Sequence, residues 1–345
     1  SLMEETKKVL LGMTLDELKS MVTELGMPAF TAKQIASWMY DKRVRSIEEM
    51  TNISKANREQ LEQNCTIGCM DPIEQVKSKD GTVKYLFPTS DGKFVETVYI
   101  PDHRRATLCI SCQKGCKMNC QFCVTGRQGF HGHLSAAQIL NQIFSIPEFE
   151  QLTNVVYMGM GEPMDNYDNI LASTQVLTSQ WGLAWSPKRI TVSSVGIIPR
   201  LEQFITDSHV HLAVSLHNPF DAERLQIMPA QKAYPITEVI AMLKQYDWSG
   251  QRRISFEYTM FKDVNDSIRH AQELVRLLKG MQCRVNLIRF HASPEAPFKT
   301  CTPQAMTNFC DYLNSHGITC TIRASRGEDI MAACGLLAGK VGKNI

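Results

Sequence analysis

The spacing of apolar residues predicts a small helical module at the start of the chain. Thr14 and Glu17 form a capping-box pattern, and apolar side chains then recur at helical spacing from Leu15 to Leu25. The same pattern predicts a second helix that begins at Thr31, with Gln34 three residues later. A third helix is predicted where Ser46 precedes Glu49 by three residues. These helices define a predicted N-terminal domain over residues 1–70, whose scattered lysines and arginines are consistent with contact to RNA phosphates and equally with a solvated surface.

Alternating apolar and polar residues predict β-hairpins in the next segment. Asp80-Gly81 and Asp91-Gly92 lie between β-type runs, such as the run from Phe94 to Ile100. An Asp-Gly pair between such runs is a strong hairpin signal. Residues 71–104 are therefore predicted to form a β-hairpin linker.

From about residue 105, β-type runs alternate with helical stretches. One of these helices is predicted after Ser135, which forms a capping-box pattern with Gln138. Six βα units in series predict a parallel sheet curled into an incomplete barrel. The six predicted strands are Ala106–Ser111, Asn154–Met158, Arg189–Ser194, His211–Leu216, Ile254–Phe261 and Arg284–Phe290. The predicted class is α/β, a partial (βα)6 TIM-like barrel over residues 105–300. A C-terminal extension over residues 301–345 is expected to add a helix and a strand.

Composition and charge limit the class of protein to which this fold can belong. Hydrophobic residues make up 43% of the chain and charged residues 21%, which is ordinary for a folded globular protein. No apolar run is long enough to cross a membrane, so we expect a soluble cytoplasmic protein with no membrane partner. The formal net charge of +2 neither requires nor excludes a nucleic-acid partner.

The cysteines supply the candidate chemistry. Of twelve cysteines, Cys116, Cys120 and Cys123 form a C-x3-C-x2-C loop directly after the first predicted barrel strand. Thiolates are the ligands of iron-sulfur clusters, and three of them around four irons leave one iron with an open position. A zinc site is the alternative, although zinc ligands usually occur as two separated pairs.

Polar residues follow the other predicted strands at their carboxyl ends, where α/β proteins place their functional groups. Each could be an ordinary core polar group by itself, but together they describe a polar ligand pocket beside the cysteine loop. These residues are Gly161 and Glu162, Ser193 and Ser194, Ser215, Leu216 and His217, and Asn286 through His291.

An ordered set of motifs over nearly the whole chain resembles the RlmN/Cfr family of radical S-adenosylmethionine (SAM) RNA methyltransferases. The resemblance is carried by Arg105 to Cys123, Gly126, Gln128-Gly129-Phe130, Met158 to Pro163, Ser215-Leu216-His217, Phe256-Glu257-Tyr258, Val264-Asn265-Asp266, Val285 to Ile288, and Arg326 through Cys334-Gly335.

The resemblance implies methylation of an adenine at carbon 2 in 23S rRNA, in the peptidyl transferase centre, and in tRNA, 3′ of the anticodon. It implies a 4Fe-4S cluster, one per chain, and S-adenosyl-L-methionine, two molecules of which are consumed per turnover. It also implies a low-potential electron donor of the flavodoxin or ferredoxin type. We expect a monomer.

The resemblance also implies the role of each site residue. Cys116, Cys120 and Cys123 would hold the cluster, and Cys334 would carry a methyl group that becomes a radical and adds to the adenine. Cys109 would then attack the Cys334 sulfur and resolve the adduct as a disulfide, with Glu96 assisting proton removal. The cofactor site would be lined by Gly161, Glu162, Ser193, Ser215, Leu216, His217 and His291.

Three positions depart from the usual family pattern and leave alternatives open. Cys112 stands where a serine is usual, and His291 and Arg289 stand where asparagine and proline are usual. Arg289 is nearer to the Cfr-type pattern, whose members modify carbon 8 of the adenine. A radical SAM enzyme acting on a non-RNA substrate is a further alternative, as is a non-catalytic zinc-stabilised RNA-binding module.

Overall fold

A ten-stranded mixed β-sheet with helices packed on one face forms the centre of the molecule, and a small helical module precedes it. A computed structural model describes residues 7–115, 117–118, 120, 129–292 and 296–330. The α-helices are α1 (Leu15–Glu24), α2 (Thr31–Ala36), α3 (Lys55–Asn64), α4 (Ala136–Phe144), α5 (Tyr167–Thr178), α6 (Ile198–Asp207), α7 (Asp221–Ile227), α8 (Ile236–Leu243), α9 (Ile268–Leu278) and α10 (Pro303–Ser315).

The strands alternate with these helices through most of the chain. They are β1 (Lys8–Val9), β2 (Cys65–Thr66), β3 (Glu74–Lys77), β4 (Val83–Pro88), β5 (Phe94–Asp102), β6 (Arg105–Cys109), β7 (Gln113–Gly115), β8 (Phe130–His133), β9 (Asn154–Tyr157), β10 (Ile190–Ser194), β11 (His211–Ser215), β12 (Ile254–Met260), β13 (Arg284–Arg289) and β14 (Thr319–Ile322).

In the N-terminal module, two of the predicted helices are confirmed and one is wrong. Thr14 caps α1 through the predicted capping box with Glu17. Helix α2 begins at Thr31 as expected, and its last residues continue into one π-helical turn. The capping box at Ser46 closes only a single 3-10 turn, because Met50 already leaves helical geometry. The third helix of the module is α3, which Ser54 caps.

The sheet confirms the predicted fold class and extends it. Its order is β14-β13-β12-β11-β10-β9-β6-β5-β4-β3. Strand β6 and strands β9 to β14 are parallel, which gives seven parallel strands in the barrel-type part. Strands β3, β4 and β5 join as antiparallel hairpins, with turns at the two predicted Asp-Gly pairs, so the hairpin segment belongs to the same sheet. The predicted domain boundaries remain predictions.

The two faces of the parallel sheet differ in chemistry. Outward side chains such as Val192, Val214 and Phe256 are fully buried in the main core beneath the helices. Because side chains alternate across a strand, Ser193, Ser215 and the residues in register with them lie on the opposite, inner face. No helix in the described part of the chain is long and apolar enough to cross a membrane.

Candidate active site

The predicted cofactor-binding residues lie at or just after the ends of the parallel strands. The small antiparallel pair β7 and β8 flanks the cysteine loop, with β7 ending at Gly115 and β8 beginning at Phe130. Beyond β6, the chain remains hydrogen-bonded to the segment after β9, because the Cys112 N–H donates to the Met160 carbonyl. The cysteine loop and the segment Gly161-Glu162-Pro163 therefore extend from two stretches of chain that are hydrogen-bonded to each other.

A glycine is required at position 161, where the segment after β9 packs against β7. Its φ of +100° lies in the left-handed region, and a Cβ at this position would stand 2.6 Å from the Cβ of Gln113. Gln113 in turn accepts a hydrogen bond from the Glu162 N–H at 2.8 Å. The glycine therefore lets the segment after β9 pack directly against the strand that leads into the cysteine loop.

Glu162 is a buried carboxylate at the centre of this region, with 3% of its surface exposed. Its two oxygens accept hydrogen bonds from the main-chain N–H groups of Val195 and Met164. Burial raises the pKa of Glu162 to about 7, and these hydrogen bonds offset only part of that effect. A buried carboxylate of this kind suits a cationic ligand group, because the ligand's charge would compensate the lost hydration.

His217 follows β11 in a left-handed conformation, with φ of +59°. Its ring is buried, and Nδ1 accepts a hydrogen bond from the Thr259 N–H at 2.9 Å. Burial lowers the pKa of His217 to about 3, and the nearby Arg224 contributes to the decrease. The imidazole is therefore neutral, with its second nitrogen carrying the proton.

The remaining strand-end residues are held in place by main-chain contacts. Ser193 Oγ donates to the Tyr157 carbonyl at 2.7 Å, and Ser215 stands half-buried on the inner face. The Leu216 side chain is fully buried in the main core, and its N–H donates to the Glu257 carbonyl. Leu216 thus anchors the turn that presents Ser215 and His217.

Arg224 on α7 organises these strand ends, and the sequence analysis missed it. The residue is fully buried, and its guanidinium donates to the carbonyl oxygens of Leu216, Ser215 and Val195, at 2.8 to 3.0 Å. A fourth bond reaches the side chain of Gln231. An arginine among polar residues on a short helix predicts a surface position, so no local signal marked this one.

Of the three predicted cluster ligands, only Cys120 lies within the described residues; Cys116 and Cys123 lie outside them. Cys120 is 7% exposed and packs in an apolar cluster that includes Val195, Met228 and Phe261. The Arg224 guanidinium is close enough to interact electrostatically with its sulfur. A thiolate-bound cluster is anionic and needs shielding from water, so this apolar, positively charged setting fits it. The described residues alone contain no three-ligand metal site.

Cys109 and Glu96 lie on the same face of the sheet, away from the main core. Cys109 stands opposite Val98 in the pairing of β5 with β6, and Glu96 is two residues along β5. Both are buried. Cys109 and Val98 form a separate apolar cluster that Ile330 joins from the C-terminal segment. Cys334, four residues further on, lies outside the described residues.

Cys112 and His291, two of the three residues that depart from the family pattern, lie in different parts of the structure. Cys112 is packed in the main core, in a different cluster from Cys109. His291 contacts the C-terminal segment: its Nε2 is 2.8 Å from Ser325 Oγ, and its Nδ1 is 3.1 Å from a carboxylate oxygen of Glu328. Burial lowers the pKa of His291, although Glu328 acts in the opposite direction.

A second network that the sequence analysis missed lies on the inner face. Glu257 is 5% exposed, and one of its oxygens accepts hydrogen bonds from Asn286 and Arg323. In the sequence, Glu257 stands out only as part of the family motif Phe256-Glu257-Tyr258, to which no role is assigned. Its place beside Ser215 in register puts a carboxylate on the inner face of the barrel.

Comparison with known proteins agrees with this geometry. Two family models match the chain: the ribosomal RNA large subunit methyltransferase N-terminal domain over residues 9–67, and the radical SAM superfamily over residues 110–278. Curated relatives named "Probable dual-specificity RNA methyltransferase RlmN" include one from Phocaeicola vulgatus, 58% identical over 97% of this chain and 96% of the relative, and one from Porphyromonas gingivalis, 54% identical over 97% and 95%.

More distant relatives agree. A "Dual-specificity RNA methyltransferase RlmN" from Syntrophus aciditrophicus is 42% identical over 95% of each chain. The crystal structure of a radical SAM methyltransferase from Sphaerobacter thermophilus matches with a TM-score of 0.89, at 38% identity, over 95% of this chain and 98% of that one. Radical SAM enzymes as a class use SAM and a 4Fe-4S cluster. The chain belongs to the RlmN family of radical SAM RNA methyltransferases.

Proposed function

We propose that this protein methylates carbon 2 of an adenine in 23S rRNA, in the peptidyl transferase centre, and carbon 2 of the adenine 3′ of the anticodon in tRNA. The names of the relatives and the ribosomal RNA methyltransferase model over residues 9–67 support an RNA substrate. Carbon 2 lies between two ring nitrogens and is electron-poor, so it does not attack an electrophilic methyl group. A carbon radical can add there.

The cofactors in this proposal are one 4Fe-4S cluster per chain and two SAM molecules per turnover. Bound together, they supply a methyl group and a species that abstracts hydrogen. Cys120, with Cys116 and Cys123 from the same loop, would hold the cluster. Glu162 would receive the cofactor's ammonium group, which its buried carboxylate can neutralise. Gly161, Ser193, Ser215, Leu216, His217 and His291 complete the proposed cofactor-binding set.

The observation that carries the proposal is the contact between the C-terminal segment and the apolar cluster of Cys109. Ile330 packs against the cluster that Cys109 forms with Val98 on the inner face of the sheet. Four residues span at most about 14 Å of chain. A connection of this length allows Cys334 to meet Cys109, although the two are 225 positions apart in sequence, and this supports the proposed pair. A radical enzyme acting without a cysteine pair has no need of this arrangement.

In the proposed mechanism, the Cys334 sulfur carries the methyl carbon to the adenine and remains bonded to it after addition. The Cys109 thiolate then attacks the Cys334 sulfur: an S–S bond forms, the C–S bond breaks, and the carbon retains the electron pair and takes a proton. Addition of a radical leaves one unpaired electron on the adduct, and that electron would pass to the bound cluster. Carbon 2 loses its original hydrogen as a proton, for which buried Glu96 is the proposed acceptor. Two electrons from a reductant restore the two thiols before the next turnover.

A low-potential donor of the flavodoxin or ferredoxin type would supply electrons to the cluster. We propose that the protein acts as a monomer in the cytoplasm, where both RNA substrates are found.

The experiment that tests this proposal is mass spectrometry of adenosines from rRNA and tRNA of a methylation-deficient host, with and without the protein. We expect 2-methyladenosine with the unchanged protein and with the control variant Cys69→Ala, because Cys69 is half-buried away from the site. We expect none with Cys334→Ala or Cys109→Ala. Appearance of 8-methyladenosine would identify a Cfr-type enzyme. Product formation that survives both substitutions would contradict the mechanism.

A further inference from the structure

The segment between β14 and Cys334 is attached to the opposite edge of the sheet. Strands β14 and β3 are the two edges of the ten-stranded sheet, and β3 leads into the turn of residues 78–81. Residues 326–329 are hydrogen-bonded to that turn, across about 250 positions of sequence. The chain thus crosses from one edge of the sheet to the other just before it reaches Cys109. We call residues 325–330 the docking segment.

Asp80 is the first of two anchors for the docking segment. Its carboxylate accepts a hydrogen bond from the Gly327 N–H at 2.9 Å and one from Arg326 Nε at 3.2 Å. Arg326 Nη2 also donates to the Asp80 carbonyl, at 2.9 Å. Although burial acts to raise the pKa of Asp80, the hydrogen bonds led by that from Gly327 outweigh it and hold the pKa well below its usual range. The carboxylate therefore stays ionised and keeps both contacts.

Asp329 is the second anchor. Here the docking segment provides the accepting carboxylate, and residues 78 and 79 provide the donors. One oxygen accepts a hydrogen bond from Ser78 Oγ, and the other accepts from the main-chain N–H of Lys79 at 3.2 Å. Gly327 adopts φ of +68°, the left-handed conformation that lets the segment turn between its two anchors. Ile330 follows Asp329 directly and enters the apolar cluster of Cys109.

We propose that residues 78–80 form a docking site for the C-terminal segment, and that this docking sets how often the Cys334 sulfur meets the Cys109 sulfur. The inference rests on the proposed function, because it assumes that these two cysteines react with each other. Ser78, Asp80, Arg326 and Asp329 are then positioning residues: none of them touches the reacting atoms. Their role is to convert a free C-terminal tail into a short tether that starts beside Cys109.

The physical basis is effective concentration. Two groups joined by a tether meet at a rate set by the length and stiffness of the chain between them. With the docking segment in place, the tether to Cys334 starts at Ile330. Without it, the tether starts at Arg323, whose N–H donates to the Leu287 carbonyl, and is nearly three times as long. Loss of the anchors is therefore expected to lower the effective concentration of the cysteine pair.

The test measures that concentration directly, without turnover. The purified full-length protein is equilibrated anaerobically with reduced and oxidised glutathione, quenched by alkylation and digested. The Cys109–Cys334 disulfide is then quantified by peptide mass spectrometry. Each disulfide formed consumes one oxidised glutathione and releases two reduced glutathione molecules, so the equilibrium constant is the effective concentration of the pair.

We expect Ser78→Ala and Asp329→Asn each to lower this constant, and the double variant to lower it by about twofold, because Asp80 still holds Gly327 and the tether lengthens only from four residues to about seven. Lys79→Ala is the matched control, because Asp329 bonds to the main chain of Lys79 and not to its side chain. Ser78→Thr keeps a hydroxyl and should restore the native value. Circular dichroism of every variant checks that the barrel is folded.

Equal constants in the unchanged protein and the Ser78→Ala/Asp329→Asn double variant, with both folded, would overturn the docking inference. A fall in the Lys79→Ala control as large as that in Ser78→Ala would do the same. Failure of the proposed function is a separate result: the disulfide would respond to the anchors as expected, while the RNA assay would yield no methylated adenine. A normal RNA product with a constant insensitive to the anchors would leave the function standing and remove the docking role.

Discussion

At the scale of single residues, burial decides the chemistry of Glu162. Its pKa rises from an ordinary value of 4.5 to about 7 because burial disfavours the charged form. Between pH 4.5 and 7, the native state holds a proton that the unfolded chain has released. The free energy of unfolding therefore falls as the pH rises through this window, by about 3 kcal/mol in all at about 1.4 kcal/mol per pKa unit.

This pH dependence can be measured on the cluster-free protein by urea denaturation at pH 5 and pH 8. The unchanged protein should lose about 3 kcal/mol relative to Glu162→Gln between the two conditions, because the carboxamide does not titrate. Bound cofactor should shrink the difference, since an ammonium group favours the charged carboxylate. If the gap between the two proteins is the same at both pH values, Glu162 titrates normally.

Arg224 gives a second prediction at this scale. Arg224→Met would remove the guanidinium donor from the carbonyl oxygens of Val195, Ser215 and Leu216, of which Leu216 keeps the Asn218 N–H. Each buried group that loses its donor costs roughly 1–3 kcal/mol, so a total loss of at least about 2 kcal/mol is expected. Arg269→Met is the matched control, because Arg269 is 58% exposed and its ion pair contributes little. Urea denaturation compares the two; equal losses would show that Arg224 does not organise the strand ends.

At the scale of elements, local signals predicted well what local interactions decide. The capping boxes at Thr14 and Ser135 mark the true starts of α1 and α4 because the cap is formed within four residues. The six predicted barrel strands agree with the structure to within two residues. The pattern at Ser46 was equally good and produced only one turn, since Met50, directly after Glu49, leaves helical geometry with a ψ of 66°. Arg224 and the docking segment depend on distant partners, which the sequence alone does not reveal.

Substitution of Gly161 tests whether the contact between β7 and the segment after β9 supports the site. Gly161→Ala places a Cβ 2.6 Å from the Cβ of Gln113 at a φ of +100°, so the segment after β9 must move away from β7. We expect lower iron content after anaerobic reconstitution and weaker SAM binding, because both the cysteine loop and Glu162 depend on this contact. Gly250→Ala is the control, since its Cβ would meet nothing within 4 Å. Iron and SAM binding equal to those of Gly250→Ala would contradict the role of this contact.

At the scale of the whole molecule, the helical module and the barrel share one hydrophobic core. Residues of the module such as Leu18 and Tyr40 belong to the same buried cluster as barrel residues such as Phe256. Tyr40 stacks on Phe144 of α4, with ring centroids 6.2 Å apart. A shared core of this kind means that neither part buries its apolar surface alone. The sequence predicted two units but could not show that they share a core, because periodicity identifies an apolar face and not its partner.

A shared core predicts a single cooperative unfolding transition. Trp38 reports on the module and Trp248 on the barrel, so variants in which one of these is the single tryptophan, with Trp181 and Trp185 also replaced, follow each part separately. We expect the same urea midpoint from both reporters, because losing the module exposes apolar surface of the barrel. Gly12→Ala should lower both midpoints together, since its Cβ would stand 2.7 Å from the main chain of Ala137 in α4, at a φ of +92°. A module that melts before the barrel would contradict the shared core, whereas one common midpoint would mean that the module and the barrel fold as one cooperative unit.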